Sequence, residues 1–316
     1  MLNQYGMRKL LFAISAAVVV NFGIMISSAA AFYQLEYQNR CNTNFLDSYI
    51  KPGFIFQTFF YNFKSVDMRL RGKEAPGDFK LSVNVSLNQL LYISKLRVLG
   101  GYLGGEVIVP FINGHLATDA GRSDDQGVGD TLVAVLLQSD EKKLRLGSYT
   151  LPFYWRLMGG AFVPIGDYDH DKDFNVGCNL TTFHTYLSST IFLSPKWAAS
   201  WRIMYNIHTK NSEYGPAKDD LKPGQLFNVH FSSCYAVKEG VRVGVLGHYW
   251  RQTTDDKLNG RHLRGRELAL AVGPGIFLNR VIDKNNVFLE GHALFDTTIR
   301  NRPQGTTLQV RGGIMF

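Results

Sequence analysis

Residues 225–237 read Gln-Leu-Phe-Asn-Val-His-Phe-Ser-Ser-Cys-Tyr-Ala-Val, and this stretch indicates how the chain folds. Apolar Phe227 and Val229 alternate with polar Asn228 and His230. Successive residues of a β-strand point to opposite faces, so the pattern predicts a strand with one apolar and one polar face. Soluble strands typically span about five or six residues, whereas a tilted strand that crosses a bilayer needs about nine to eleven. The length of this stretch therefore favours a membrane-spanning strand.

The same alternation recurs along the chain from Gly53 to its end. Aromatic residues stand near the ends of many of these segments, as they do in the interfacial girdles of transmembrane barrels. An even number of strands lets a barrel close with both of its ends on one side of the membrane. We predict an all-β fold, a transmembrane antiparallel up-and-down β-barrel of about twelve strands. The strands are expected near residues 53–62, 81–93, 100–112, 127–137, 146–163, 179–193, 197–209, 225–237, 241–252, 266–278, 287–297 and 305–316.

The connections between the predicted strands alternate in length. A soluble β-sandwich shows the same period-two pattern but has no reason to sort its loops in this way. An outer-membrane barrel does, because its periplasmic turns are short and its extracellular loops are long. Long polar connections follow the odd-numbered strands, at 63–80, 113–126, 164–178, 210–224 and 253–265, and short ones follow the even-numbered strands, at 94–99, 138–145, 194–196, 238–240 and 279–286. The sequence therefore predicts a protein of the cell outer membrane.

The N-terminal end has the layout of a secretory signal peptide. Arg8 and Lys9 precede an almost unbroken apolar run over 10–26, and small residues follow up to Ala31. This order predicts export and cleavage after Ala31. A membrane anchor is the alternative, because about seventeen apolar residues are marginal for a span. The predicted division is a signal peptide at 1–31, a periplasmic N-terminal segment at 32–52 that could be a plug or a tail, and an outer-membrane barrel at 53–316.

The charge and cysteine patterns exclude several other classes of protein. The net charge is +8 at pH 7, but Lys and Arg stand singly or in pairs and form no basic stripe. We therefore expect no nucleic-acid partner. Cys41, Cys178 and Cys234 are odd in number and show no C-x-x-C spacing, so they predict neither a disulfide framework nor a metal site.

The polar faces of the predicted strands define a candidate solute path. A barrel of about twelve strands is too narrow for a wide porin channel but leaves a path partly filled by side chains. Such a path selects solutes by their radius and by the polarity of its lining. We expect the loops 113–126 and 164–178 to shape the outer mouth. The predicted lumen-lining residues are Glu106, Asp130, Arg156, His184, Arg202, His208, Arg242, Glu290, Asp296 and Arg311.

Three short motifs follow one another along the predicted barrel. They are Gly-Val-Gly-Asp at 127–130, Pro-Ile-Gly-Asp-Tyr at 164–168 and Asn-Val-Gly at 175–177. In their order and spacing the chain resembles the outer-membrane family linked to the meta-pathway of phenol degradation, whose members are often called transporters. The resemblance covers most of the mature chain in layout. It implies passage of hydrophobic, often aromatic compounds across the outer membrane, and it marks no catalytic residue.

These observations lead to one functional hypothesis and one rival. The first is an outer-membrane channel or transporter for passive uptake of small hydrophobic or aromatic compounds, surrounded by outer-membrane lipid and lipopolysaccharide. We expect the barrel-assembly machinery to read the aromatic Phe316 at the C-terminal end. The rival is a non-conducting structural or surface-interaction barrel whose extracellular loops carry the function. Bilayer conductance separates the two.

Other chemistries have weaker support in the sequence. His230 and Ser232 lie two apart on one strand, as base and nucleophile do in barrel lipases, but their face points to the lumen. Carboxylates at every second position of 167–173 could bind Ca²⁺, yet the Gly and Glu of the calcium-binding loop are missing. The inward histidines show no ligand spacing within a strand. We therefore predict a protein that is not an enzyme and has neither cofactor nor metal.

Overall fold

Twelve antiparallel strands close into a barrel in the computed structural model, which describes residues 43–316. Each strand pairs with its neighbours along the chain. The last strand pairs with the first, from Ile55 opposite Met315 to Arg69 opposite Arg302. Closure leaves no strand edge in the lipid, where each unpaired backbone N–H or C=O group costs several kcal/mol. The predicted all-β, twelve-stranded barrel is confirmed.

We number the barrel strands β1 to β12 along the chain. Their bounds are Gly53–Leu70 (β1), Phe79–Val98 (β2), Gly101–Thr118 (β3), Gly121–Val128 continued by Thr131–Gln138 (β4), Tyr149–Val163 (β5), Thr182–Phe192 (β6), Trp197–His208 (β7), Leu226–Lys238 (β8), Val241–Gln252 (β9), Leu268–Ile282 (β10), Asn285–Arg300 (β11) and Arg302–Met315 (β12). Two short strands, Lys73–Glu74 and Lys142–Leu146, pair with β1 and β5. A separate small sheet consists of Asn211–Tyr214, Asp219–Lys222, Asp256–Leu258 and Arg261–Leu263. Within 43–316, no helix is both long and apolar enough to cross a membrane.

The hairpin of β3 and β4 is longer than the sequence indicated. Residues 113–126, predicted as a loop at the mouth, belong mostly to the two strands, and the turn between them has two residues. Asn113 and Gln126 lie opposite each other and form an exposed hydrogen bond of 3.2 Å. The outward positions here are therefore polar, and the apolar alternation ends before the ladder of backbone hydrogen bonds does. For this reason the prediction of a mouth loop at 113–126 is wrong.

Both faces of β1 are apolar. Phe54, Phe56 and Phe60 are exposed on the outer face, as the alternation predicts for residues that contact lipid. Phe59 and Phe63 are buried on the inner face, which differs from the polar lumen that the sequence indicated. A narrow barrel fills its interior with side chains, so large apolar residues can occupy inward positions.

The N-terminal segment enters the barrel at the end that carries the short turns. Residues 43–48 lie inside the wall, and Phe45 is fully buried. The described part of the segment 32–52, predicted as periplasmic, thus begins inside the barrel, because polar and charged groups of the wall bind it. The predicted signal peptide at 1–31 and the adjoining residues 32–42 lie outside the described part of the chain.

A long loop fills the opposite end. The connection from β5 to β6, residues 164–181, contains no strand and folds inward. Phe174 and Val176 are buried in the same apolar cluster as Phe45 of the N-terminal segment. The interior is therefore closed from both sides.

Candidate functional site

The two closures leave a chamber of about 120 Å³ inside the barrel. Leu46, Tyr49 and Ile50 of the N-terminal segment form one side of it. A concave site lined mainly by apolar side chains, with a few polar groups, is the usual form of a small-molecule site. The apolar and aromatic residues that line the wall are Ile55, Phe59, Leu87, Leu91, Ile108, Leu132, Met158, Phe162, Tyr186, Met204, Phe277, Phe288 and Met315.

Arg156 and Arg202 reach the chamber from β5 and β7. Both pair in register with Ser188 of β6, the strand between them, and alternation places all three on the inner face. Arg156 donates from Nε to Oε1 of Gln138 at 2.9 Å and from Nη2 to the backbone carbonyl of Asp47 at 2.8 Å. Its hydrogen-bond partners are thus neutral groups.

Arg202 forms a buried ion pair with Asp47 of the N-terminal segment. Its Nε donates to Oδ2 at 3.0 Å and its Nη2 donates to Oδ1 at 2.5 Å. Two parallel bonds of this kind are the geometry in which a guanidinium recognises a carboxylate best. The guanidinium also lies over the ring of Tyr186, 4.4 Å from its centroid. The barrel wall therefore holds the Asp47 carboxylate from a fixed direction.

Glu106 brings a carboxylate into the chamber from β3. Gln89 donates a hydrogen bond to it, and Gln57 donates to Gln89, so the three side chains form a chain across β3, β2 and β1. Glu106 lies within electrostatic range of Arg156 and Arg202. Charges of both signs thus face the chamber.

Two more of the predicted residues line the chamber. Arg311 enters from β12 and pairs with Glu290 of β11 at 3.0 Å. His184 enters from β6 and is hydrogen-bonded to Asn206 Oδ1 at 2.6 Å. Glu290 also accepts a hydrogen bond from the backbone N–H of Phe45 at 3.4 Å. The structure therefore brings together Glu106, Arg156, His184, Arg202 and Arg311, with Glu290 directly beside Arg311.

The remaining four predicted residues lie elsewhere. Asp130 accepts hydrogen bonds from the backbone N–H groups of Gly166 at 3.1 Å and Cys178 at 2.9 Å, so it anchors both ends of the inward-folded loop. The other three contact neighbouring wall residues: His208 with Thr182, Arg242 with the carbonyl of Lys196, and Asp296 with the N–H of Gly305. For all ten residues, a role in a solute path stays a prediction.

The sequence analysis missed the role of the N-terminal segment. Ser48 Oγ lies 2.8 Å from Ser188 Oγ, and Gln138 donates to the Ser48 carbonyl at 2.8 Å. Together with Asp47, these contacts make the segment part of the chamber. A carboxylate among the apolar residues of 45–50 is the signal that could have revealed it, because such a stretch suits an apolar interior that contains arginines.

The other constellations of the sequence have different surroundings. Ser232 faces the interior, as predicted, and its Oγ donates to the carbonyl of Asn44 at 3.0 Å. Asp169, His170 and Asp171 bring their ligand atoms within 4.8 Å of one another on the long loop. Exposed acidic groups commonly occur without a metal, so this cluster is not assigned as a site.

Comparisons with known proteins agree with the architecture. The sequence matches the family described as "Putative MetA-pathway of phenol degradation" over residues 69–312. No curated protein sequence matches the chain. The structure is similar to the COG4313 outer membrane channel from Pseudomonas putida F1, with a TM-score of 0.71 and 19% identity, covering 85% of this chain and 97% of that one. It is also similar to the transport unit of the autotransporter AIDA-I from Escherichia coli, with a TM-score of 0.53 and 9% identity, covering 92% of this chain and 98% of that one. The fold is that of an outer-membrane barrel.

Proposed function

Because the chain belongs to the MetA-pathway of phenol degradation family, we propose that it is a passive outer-membrane channel for small hydrophobic or aromatic compounds. The observation that carries this proposal is the chamber inside the wall, lined by aromatic side chains such as Phe59, Phe162 and Phe288. Transfer of an aromatic ring from water into an apolar lining is favourable by roughly 25 cal/mol per Å² of buried surface. The chamber therefore offers a hydrophobic solute a better environment than the water on either side.

Passage requires the two closures to move, and the contacts of the N-terminal segment are compatible with this. Ser200 Oγ donates to the carbonyl of Phe45 at 3.0 Å, and Ser232 Oγ donates to that of Asn44. Each such bond between neutral groups contributes a net stabilisation of about 1 kcal/mol, because water replaces it when it breaks. A few of them can open without unfolding the barrel, but the Asp47–Arg202 ion pair must break at the same time.

A non-conducting barrel is the second candidate function. The closed interior favours it, since Phe45 and Phe174 are buried in one continuous apolar cluster. In this case the function would lie in the extracellular loops. Conductance distinguishes the candidates because a permanently closed barrel passes no ions.

The decisive experiment is single-channel recording of the refolded mature protein in a planar bilayer, with and without an added aromatic solute. We expect discrete current steps that the solute interrupts. Ser232→Ala removes one contact of the N-terminal segment, so the channel of this variant should open more often than that of the unmodified protein. Ser233→Ala is the matched control, because Ser233 lies on the outer face and bonds Trp197. A barrel that stays silent in every variant would rule out the channel and favour the second candidate.

We also propose outer-membrane lipid and lipopolysaccharide as the surroundings of the barrel. On the outer face of β1, exposed Phe56 and Phe60 are followed towards the extracellular end by exposed Lys64. Apolar side chains suit acyl chains, and a Lys above them suits an anionic headgroup. The same exposed face supports insertion into the membrane rather than a soluble state.

A further inference from the structure

We propose that the chamber accepts an anionic aromatic solute, an arene that bears one carboxylate, and that Asp47 occupies the position of this carboxylate while the channel is closed. The inference rests on the proposed channel function and names the class of its solute. It is carried by the charges of the wall, by the geometry of the Asp47 site and by the apolar lining beside it.

The charges of the wall alone favour an anion. Arg311 is paired with Glu290 of the neighbouring strand. The chamber then retains Arg156 and Arg202, with Glu106 as the carboxylate that the wall supplies. Arg156 bonds an amide oxygen and a backbone carbonyl and lies 3.5 Å from the hydroxyl of Tyr186, and all of these partners are neutral. A second carboxylate is needed to balance the two guanidinium groups, and in the closed state the N-terminal segment provides it.

The Asp47 site has the features of a carboxylate receptor. The side chain of Asp47 is 2% exposed and receives two hydrogen bonds from the guanidinium of Arg202. The ring of Tyr186 lies against a face of that guanidinium, while Asp47 binds its edge. A fixed, dehydrated guanidinium fork prefers a planar carboxylate over a neutral group of the same shape, since removal of the negative charge leaves a buried cation without a partner. This preference does not depend on whether the carboxylate belongs to the protein or to a solute.

An aromatic ring fits beside this receptor. Tyr49 and Leu46 of the N-terminal segment line the chamber next to Asp47. When the segment moves away, it vacates an apolar space and a carboxylate position at the same time. An arene with one carboxylate replaces both, whereas a neutral arene replaces only the apolar part. The solute and the segment therefore compete for one site, and the solute class follows from what the segment leaves behind.

Calorimetric titration of the full mature protein in detergent tests the proposal, with sodium benzoate as the probe and benzamide as its neutral isostere. We expect benzoate to bind at least tenfold more tightly than benzamide. In Arg202→Gln this preference should disappear. In Asp47→Asn the affinity for benzoate should rise severalfold, because the competing carboxylate is gone while the shape of the side chain is kept. Heat-modifiable gel migration shows which variants are folded.

Arg251→Gln is the matched control, because it removes one positive charge from an exposed side chain of β9. The preference for benzoate should persist in it. Equal affinities for benzoate and benzamide in the unmodified protein would overturn the proposal, as would a preference that survives in Arg202→Gln. If Arg202→Gln does not fold, an unchanged benzoate affinity in Asp47→Asn is sufficient to overturn it.

Bilayer recordings of the same preparations separate this proposal from the channel function. Conductance that benzoate and benzamide interrupt equally would leave the channel in place and remove only the preference for an anion. Absence of conductance in the presence of selective benzoate binding would remove the channel and leave a binding barrel. Absence of both would overturn the two proposals together.

Discussion

Arg302 shows how a buried charge is stabilised at a single residue of this barrel. Its Cζ lies 3.4 Å from the ring centroid of Trp250, and its Nη1 donates to the carboxylate of Glu267. Arg302, Glu267 and Trp250 are each 1% exposed. An ion pair this deeply buried offsets the loss of hydration only when both partners are present. At this scale the energetics depend on pairs of side chains rather than on individual residues.

Replacement of one partner should therefore cost more than replacement of both. We expect Arg302→Met to lower the free energy of unfolding by about 3–5 kcal/mol, because it leaves the Glu267 carboxylate buried without its guanidinium. The double variant Arg302→Met, Glu267→Met should lose less than the single one. Guanidinium chloride unfolding in detergent micelles measures both values. If the double variant is as unstable as the single variant, packing of Arg302 on Trp250 is the cause rather than charge.

A second residue-scale effect concerns the C-terminal Phe316. Its backbone N–H donates to the carbonyl of Phe54 at 2.9 Å, while its side chain is 62% exposed. Loss of an exposed side chain changes stability by less than about 0.5 kcal/mol. The folded barrel thus gains little from the aromatic ring, which is compatible with a role during assembly.

Phe316→Ala should therefore reduce the amount of folded protein in the outer membrane severalfold while the unfolding free energy of the refolded protein stays the same. Heat-modifiable migration of membrane fractions and denaturant unfolding measure the two quantities. Phe54→Ala is the control, because Phe54 is an exposed aromatic residue at the same end of the barrel. Equal membrane levels of the two variants would remove the special role of Phe316.

Among the structural elements, the loop at 164–181 packs into a space that exists because Gly114 has no side chain. Gly114 of β3 points inward, and a Cβ at this position would overlap the ring of Phe174. The carboxylate of Asp130 fixes the two ends of the loop by accepting hydrogen bonds from the backbone N–H groups of Gly166 and Cys178. Phe174 and Val176 thus anchor the loop in the apolar interior. Their backbone N–H groups also donate hydrogen bonds to Ser123 and Asp125 of β4.

Gly114→Val should expel Phe174 and release the loop while the barrel stays folded. We expect hydrogen exchange in 164–181 to become at least tenfold faster, and the open fraction in bilayer recordings to rise. Gly159→Val is the matched control, since a Cβ at Gly159 meets nothing within 4 Å. Unchanged exchange in Gly114→Val would show that the fit of Phe174 against Gly114 does not hold the loop.

The small four-stranded sheet outside the barrel wall contains a titratable group of its own. Asp256 accepts hydrogen bonds from the N–H of Gly224 at 2.7 Å and from Gln252 at 2.8 Å, yet burial raises its pKa to about 6. A carboxyl whose pKa is higher in the folded state than the ordinary value of about 3.9 binds protons more tightly when folded. The stabilisation that protonated Asp256 gives to the folded state is therefore complete below about pH 4, and it is lost as the pH rises through about 6.

Between pH 5 and pH 7.5 this contribution should fall by about 1.4 kcal/mol, which is a tenfold loss of protection. Hydrogen-exchange protection of 253–267, corrected for the intrinsic pH dependence of exchange, measures it. Asp256→Asn should abolish the difference. Asp255→Asn should preserve most of it, because burial is the main cause of the raised pKa of Asp256 and the charge of Asp255 is only a minor one. The hydrogen bond with Arg266 lowers the pKa of Asp255 and places its own titration below this window. A pH dependence that survives in Asp256→Asn would assign it to another group.

For the whole molecule, closure of the barrel and filling of its interior are both consequences of its twelve strands. The pairing of β1 with β12 removes the last free edges, and a barrel of this width has an interior that side chains can fill. The N-terminal segment and the loop at 164–181 complete the filling from opposite ends. The chamber is the volume that remains between the N-terminal segment and the wall.

Much of the wall could be predicted from local pattern. Alternation around Phe227 and His230 predicts both the strand and the face of each residue, because the period of two is a property of the extended backbone. The same rule places Arg156 and Arg202 on the inner face without reference to their partners. Because a sheet in lipid can leave no free edge, a series of such strands must close into a barrel.

The site itself was decided by tertiary structure. The meeting of Arg156, Arg202 and Asp47 depends on the register between strands and on the insertion of a segment that has no strand pattern. The close fit of Phe174 to Gly114 joins residues that two whole strands, β4 and β5, separate in the sequence. Local sequence pattern predicts the strands and the face of each residue, since both follow from backbone geometry. Closure of the barrel follows from the requirement that no strand edge is left in the lipid. The chamber depends on the tertiary structure, because the register between strands and the insertion of the N-terminal segment are set only when all strands pack together.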